Sequence, residues 1–125
     1  HILHQTKNYS RDFQMISMEN YVSGDWYLYS EDEANKLGFV SAYSRSEANE
    51  DFVENVAIYV TSSPAEWDAI LANAGSAGSA IILQKFAIVR DYMMSEWNID
   101  LDQLRDVVQR RSDELSLLNL DDIKF

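Results

Sequence analysis

The sequence lacks cysteine altogether and has little proline or glycine, with one Pro and four Gly among 125 residues. The absence of cysteine excludes disulfide bonds, thiolate catalysis and cysteine-based zinc sites. The scarcity of proline and glycine argues against repetitive or loop-rich architectures. Helix is therefore the expected default. A hydrophobic content of 46% is sufficient for a single domain with a buried core over residues 1–125.

Positive charge is also scarce, since 10 Lys and Arg stand against 21 Asp and Glu, giving a net charge of −11. Nucleic acid is excluded as a partner, because Lys and Arg are needed to displace counterions from phosphates. The acidity itself indicates a solvated surface and does not specify a cationic partner. No apolar run approaches the roughly 18 residues of a membrane span, and no signal peptide is present. We therefore expect no membrane span in this chain.

The sequence contains patterns typical of a helix N-terminus at three places. SEDE at residues 30–33 and SPAE at residues 63–66 are capping-box patterns, and the second has proline at the first helical position. Asp100 is a candidate N-cap of the last helix. Gly38 is expected to end the first of these helices, and Gly75 together with Gly78 is expected to interrupt the second.

Apolar residues recur at helical spacing between residues 77 and 97 and again after residue 100, which predicts a buried stripe on each helix. A further helix is expected over residues 46–61, with Ser46 as its cap. Residues 17–45 are rich in aromatic side chains without helical periodicity. We expect mostly irregular structure there, with a short extended pair, packed over a core or alternatively lining a cleft. The predicted fold class is mainly α: a single compact helical domain with an irregular aromatic-rich segment.

Two histidines near the start, His1 and His4, have a spacing of i and i+3 that places them on neighbouring parts of one helical face. By itself this pair is a weak metal signal, because helical zinc pairs typically use i and i+4, as in HExxH. The alternative is a partly exposed helix end. If His-Glu-x-x preceded residue 1, His1 would be the second histidine of such a motif.

Glu50 and Glu54 lie on the helix predicted over residues 46–61. On a helical wheel Glu50 falls only about 20° from Ala57, at the border of the apolar face, and Glu54 falls about 40° further out. A carboxylate at a core edge costs free energy unless it meets a cation, a metal or hydrogen-bond donors. The pair is therefore either part of a polar or metal site or a solvated helix edge.

Three segments, in this order and spacing, resemble the zinc-binding metallopeptidases of Bacteroidetes: HILHQ at residues 1–5, GFVSAY at 38–43 and EDFVE at 50–54. Many members of that group are described as substrate-import-associated zinc metallohydrolase lipoproteins. The family pattern runs HEFxHILHQ, then GFVxxY, then EDFxE. The resemblance implies that this chain is the C-terminal portion of the catalytic domain and begins inside the HExxH motif.

A more distant similarity is to the lethal-factor type of gluzincin, in which Tyr-x-Arg precedes EFFAE. Here Tyr43 and Arg45 precede the EDFVE segment at the same distance. One departure is Ala42, which stands where proline is frequent in the family and is expected to loosen the loop that positions the tyrosine. The stretch from residue 90 to 105 also resembles the family, so the resemblance covers nearly the whole chain.

The resemblance implies a role for each matching residue. His1 would be the second zinc ligand and Glu50 the third, with Glu54 as the alternative third ligand. Tyr43 would be a hydroxyl near the metal that stabilises the oxyanion. His4 and Glu54 would lie behind the ligands and support them. The implied cofactor is zinc, and the implied partner is a peptide or protein substrate.

The expected activity is peptide-bond hydrolysis by a metal-activated water. Because the first histidine and the general-base glutamate are expected upstream of His1, we expect this chain alone to be catalytically silent. The resemblance also implies a periplasmic or surface lipoprotein of the cell envelope. The alternatives are a non-catalytic acidic helical binding module associated with a nutrient-import complex, and a structural helical domain without a cleft. Zinc content distinguishes the enzyme from the binding module, and a Glu50→Ala change that left zinc binding unaltered would favour the structural domain or show that the choice of Glu50 as ligand is wrong.

Overall fold

The computed structural model describes residues 11–123, and all regular structure among them is helical. The α-helices are α1 (Arg11–Ile16), α2 (Glu31–Lys36), α3 (Ala48–Thr61), α4 (Pro64–Trp97) and α5 (Leu101–Ile123). Short 3-10 turns occupy Met18–Asn20, Ser23–Leu28 and Tyr43–Arg45. The mainly α prediction is confirmed. The short extended pair expected in residues 17–45 is wrong, since the described chain forms 3-10 turns and α2 there.

Three predicted helix starts are present with the expected hydrogen bonds. The Ser30 hydroxyl accepts from the Glu33 N–H at 3.1 Å. At the start of α4 the Ser63 hydroxyl accepts from the Glu66 N–H at 3.2 Å, and the Glu66 carboxylate accepts from the Ser63 N–H at 2.9 Å. The Asp100 carboxylate accepts from two N–H groups of α5, at 2.9 and 3.3 Å. Local sequence therefore fixes where α2, α4 and α5 begin.

The predicted cap of α3 is wrong. Ser46 has helical backbone angles (φ −64°, ψ −49°) because it ends the 3-10 turn that contains Tyr43. The extended residue before α3 is Glu47 (φ −166°, ψ 169°). An N-cap side chain reaches the helix only from an extended backbone, so Ser46 cannot cap α3. Its hydroxyl is buried and has no hydrogen-bond partner among the described residues.

Glycines set the contact between α2 and α4. Gly38, predicted to end the first helix, follows α2 with φ 95°, and Gly75 (φ 74°, ψ −176°) breaks α4 into two helical segments, as predicted. Gly78, expected to belong to the same break, instead lies within the second segment. A Cβ atom there would lie 2.6 Å from the carbonyl oxygen of Asn35 and 2.9 Å from that of Lys36. Its missing side chain lets α4 approach the backbone of α2.

We expect Gly78→Ala to lower the free energy of unfolding. Overpacking against two backbone carbonyls costs about 1–3 kcal/mol, whereas the higher helix propensity of alanine returns about 1 kcal/mol. Urea unfolding measures the net loss. Gly24→Ala is the matched control, because a Cβ atom at Gly24 meets nothing within 4 Å, and it should change stability by less than about 0.5 kcal/mol. A Gly78→Ala variant as stable as the original protein would contradict the close approach.

The main core lies between α3, α4 and α5, with Phe13 of α1 packed onto it. The predicted stripe of α4 is present: Ile82, Phe86, Val89 and Met93 are buried, and Trp97 packs at the edge. A second cluster consists of Ala34, Phe39 and Ala42, covered by Tyr21, Trp26 and Leu37. The aromatic-rich segment thus packs over this smaller cluster and faces the start of α3. Within residues 11–123 no helix is both long and apolar enough to cross a membrane.

Candidate active site

The Tyr43 hydroxyl lies close enough to the Glu50 carboxylate to interact with it, which brings the aromatic-rich segment against α3. Tyr43 opens a 3-10 turn, Glu50 lies in the first turn of α3, and the tyrosine side chain is 37% exposed. Both residues line an open cleft of about 280 Å³. Its other lining residues are Ser23, Gly24, Trp26, Ser46 and Glu47. The fold therefore brings two predicted site residues together at a surface that a ligand can reach.

The environment of Tyr43 keeps its hydroxyl protonated. The hydrogen bond to the Glu50 carboxylate raises the pKa of Tyr43 above its ordinary value. Burial and the negative charges of Glu50, Glu54 and Glu47 raise this pKa further. At neutral pH the side chain is thus a neutral O–H donor beside a carboxylate.

Glu54, one turn further along α3, meets a different environment. Its side chain is half-buried, and its Oε1 accepts a hydrogen bond from the Ser41 hydroxyl at 3.2 Å. Burial raises the pKa of Glu54, the Ser41 hydrogen bond opposes this, and the charges of Glu50, Glu31 and Asp51 add to it. The helical wheel placed Glu54 further toward solvent than Glu50. In the structure the segment around Ser41 covers it, so Glu54 lies under that segment, whereas Glu50 lines the cleft.

The segment before Tyr43 is fixed by its own polar contacts. The Ser41 and Ser44 hydroxyls lie 2.8 Å apart, and the Ser44 N–H donates to the Ser41 hydroxyl at 3.2 Å. The N–H of Ala42 donates to the Glu31 carboxylate at 3.1 Å. Proline at this position could not make that bond, because it has no N–H. The departure from the family pattern at Ala42 is therefore compensated by a hydrogen bond to α2.

A buried ion pair that the sequence analysis missed lies behind the site. Asp51 Oδ2 is 2.8 Å from Lys85 Nζ, and both side chains are fully buried. The Tyr21 hydroxyl donates to the same carboxylate at 2.7 Å. Lys85 also donates to the Gly38 carbonyl at 3.0 Å and lies 3.8 Å from the centre of the Phe39 ring. These contacts fix the first turn of α3 to the start of the segment that carries the site tyrosine.

Burial is the largest influence on this ion pair. It raises the pKa of Asp51 and lowers the pKa of Lys85, and the attraction between the two groups opposes both shifts. The available sequence signal was positional: Asp51 precedes the buried Phe52, and Lys85 precedes the buried Phe86. A charged residue at the edge of each apolar stripe could have suggested a pair.

The donor set among the described residues provides part of a zinc site. Glu50 offers one carboxylate, and the Tyr43 hydroxyl lies beside it. His1 and His4, the predicted histidines, lie outside the described residues. Within residues 11–123 no group of three or more His, Cys, Asp or Glu side chains is arranged to hold a metal. Catalytic zinc uses three protein ligands, so this part of the chain fits a zinc ion only if residues outside it supply the others.

Comparisons with known proteins identify a matching family and a similar crystal structure. Residues 1–102 match the model of a protein family described as "Putative zinc-binding metallo-peptidase". The crystal structure of a protein from Bacteroides caccae, described in the same words, is similar to this chain with a TM-score of 0.89 and 43% sequence identity. The similarity covers 96% of this chain and 46% of that protein, so the chain spans less than half of its length. No curated protein matches the chain.

Proposed function

Because the chain belongs to the zinc-binding metallo-peptidase family that residues 1–102 match, we propose that it forms the C-terminal part of a catalytic domain that hydrolyses peptide bonds with zinc. The observation that supports this most directly is that Tyr43 and Glu50 line the same open cleft, close enough for the carboxylate to raise the pKa of the tyrosine. A carboxylate ligand and a neutral hydroxyl donor side by side are the groups that metal-assisted hydrolysis needs from this half of a site.

Glu50 would hold the zinc, together with His1 and a second histidine that precedes residue 1 in the full-length polypeptide. Its position on the cleft favours Glu50 over Glu54, because the Ser41 hydroxyl already binds Glu54 beneath the neighbouring segment. When bound, the zinc supplies Lewis-acid polarisation of the substrate carbonyl and lowers the pKa of a bound water.

Tyr43 would act on the substrate itself. Its hydroxyl is protonated and lies at the exposed side of the cleft, where the carbonyl of an extended peptide can approach. A hydrogen bond from Tyr43 to the carbonyl oxygen strengthens as negative charge develops there. Such a contact stabilises the transition state more than the bound substrate and thus raises the rate.

The general base belongs to the same proposal. Residues 1–125 contain HILHQ but no complete HExxH motif. In the proposed site, the glutamate that takes the proton from water would belong to a His-Glu-x-x segment of the full-length polypeptide and would lie three positions before His1. A polypeptide of these 125 residues alone would be silent, because loss of a general base costs about two to four orders of magnitude in rate. A cell-envelope location is also part of the proposal and rests on the family resemblance alone.

Metal content and hydrolysis test the proposed function. We expect the full-length polypeptide, purified without chelator, to contain about one zinc per chain by elemental analysis. It should cleave members of a fluorogenic peptide library, lose this activity with 1,10-phenanthroline and regain it with added zinc. A polypeptide without zinc and without hydrolysis would instead support the non-catalytic binding module. Residues other than His-Glu-x-x directly before His1 would also contradict the catalytic proposal.

A further inference from the structure

We propose that the cleft beside Tyr43 binds a cationic side chain of the substrate, lysine or arginine, between the Glu47 carboxylate and the Trp26 ring. This inference rests on the proposed function, because it takes the cleft as the place where the peptide lies. It adds the substrate class, which is peptides with a basic residue close to the bond that is cleaved.

Glu47 supplies the negative charge. It lines the cleft, its side chain is exposed, and its extended backbone places it directly before α3. The side chain does not cap the helix, and within the described part of the chain it has no hydrogen bond or ion pair. No Lys or Arg is among the described residues that line the cleft. The Glu47 carboxylate is therefore available to a cation that enters from solvent.

Trp26 supplies a preformed aromatic wall. One side of it packs against the cluster of Ala34, Phe39 and Ala42, and its ring contacts that of Tyr43 edge to face, with centroids 5.0 Å apart and an interplanar angle of 86°. These contacts hold the indole in place where it lines the cleft. A cation within about 6 Å of an indole centroid is attracted by the ring, and tryptophan is the strongest of the three aromatic side chains in this respect.

The Glu47 carboxylate and the neighbouring Tyr43 and Glu50 side chains line the same cleft. Glu47 has an extended backbone directly before α3, three residues before Glu50. An extended peptide advances about 3.3 Å per residue. A side chain that reaches Glu47 thus belongs to a residue close in sequence to the one whose carbonyl lies beside Tyr43. Glu50 is engaged with Tyr43, so Glu47 is the carboxylate left to recognise the substrate.

The net charge of −11 alone would attract cationic peptides to many parts of the surface. The proposal instead requires that the Glu47 carboxylate alone accounts for the preference for cationic peptides. Glu114→Gln removes the same charge from an exposed position on α5 and is the matched control for Glu47→Gln.

The experiment compares three non-hydrolysable peptides, N-methylated at the central amides, that differ at one residue only: arginine, its neutral isostere citrulline, or glutamate. Titration calorimetry with the full-length, zinc-loaded polypeptide should show about fivefold tighter binding of the arginine peptide, and added salt should weaken this preference. Glu47→Gln should bring the ratio close to one, and Glu47→Lys should reverse it in favour of a glutamate peptide. Glu114→Gln should leave the ratio unchanged. Trp26→Leu should weaken arginine-peptide binding about threefold.

Several results would overturn the inference. A preference for arginine that survives Glu47→Gln, or that falls equally in Glu114→Gln, would assign it to the overall charge. Equal binding of the arginine and citrulline peptides by the unmodified polypeptide would show that the cleft does not recognise a cationic side chain. The two variants Glu47→Gln and Glu47→Lys test the inference even if Trp26→Leu fails to fold. Charge-selective binding that depends on Glu47, without hydrolysis of ordinary peptides, would support this inference and contradict the proposed function. Hydrolysis without charge preference would do the reverse.

Discussion

Glu50→Gln should remove tightly bound zinc from the full-length polypeptide and lower kcat/KM by at least about 100-fold. Groups that only support a metal ligand already change affinity or activity by about 10–100-fold when they are replaced. Loss of the carboxylate that we propose as a direct ligand should therefore cost more. Glutamine keeps the size of the side chain but removes its charge, so the fold around α3 should persist. Elemental analysis and initial rates on one fluorogenic peptide measure the two effects.

Three comparison variants test whether Glu50 is the zinc ligand. Glu54→Gln should retain most of the zinc, because the Ser41 hydroxyl holds Glu54 away from the cleft, and Glu114→Gln should behave like the original protein. Tyr43→Phe should keep the zinc but lower kcat by about 10²–10³, the range seen when one oxyanion donor is removed. A Glu50→Gln variant with a full complement of zinc, or a larger loss in Glu54→Gln, would show that the ligand assignment is wrong.

Local signals in the sequence predicted much of the fold. Ser30, Ser63 and Asp100 cap their helices as expected, because a side-chain cap depends only on residues within one turn. Ser46 failed as a cap for a reason that is not local to α3. The preceding 3-10 turn gives Ser46 helical angles and moves the extended residue to Glu47.

The candidate site was predictable only in part. Spacing alone left Glu50 and Glu54 as either a metal site or a solvated edge, and the family resemblance supplied the role of Tyr43. The contact between Tyr43 and Glu50 depends on how the segment after α2 folds back onto α3. The spacing of apolar residues in the sequence does not predict that arrangement. The same folding covers Glu54 and separates the two glutamates into different environments.

Contacts between distant segments were the main omission. Asp51 and Lys85 are far apart in sequence, and the local sequence around each indicates only a charged residue on an amphipathic helix. Arg105 lies on the amphipathic helix α5, where the local sequence favours exposure to solvent. It lies 4.3 Å from the centre of the Tyr59 ring and donates to the Ser62 carbonyl at 3.0 Å. Long cationic side chains can cover apolar surface while their charged ends reach a partner, so polarity alone does not predict exposure.

Lys85→Met should lower the free energy of unfolding by about 3–5 kcal/mol, the cost of leaving one charge of a buried ion pair without its partner. Asp51 would remain fully buried, and its donors among residues 11–123 would both be neutral: the Tyr21 hydroxyl and the Asn55 amide at 3.2 Å. The Gly38 carbonyl would also lose its hydrogen bond. Urea unfolding of the full-length polypeptide measures the loss.

Arg90→Met is the matched control, because Arg90 also forms an ion pair, with Asp102 at 3.1 Å, and lies over an aromatic ring. The side chains of that pair are 48% and 57% exposed, so its loss should cost no more than about 1 kcal/mol. Equal losses in Lys85→Met and Arg90→Met would contradict the importance of burial.

A double variant shows which part of the Lys85 effect is charge. In Asp51→Asn/Lys85→Met the buried carboxylate is gone, while the asparagine oxygen still accepts from the Tyr21 hydroxyl. If the unpaired charge causes most of the loss, the double variant should be more stable than Lys85→Met alone, and the two substitutions should be far from additive. Additive losses would instead show that the Gly38 and Phe39 contacts of Lys85 carry the effect. In that case the lysine acts chiefly by holding the start of the segment that leads to Tyr43 against α4.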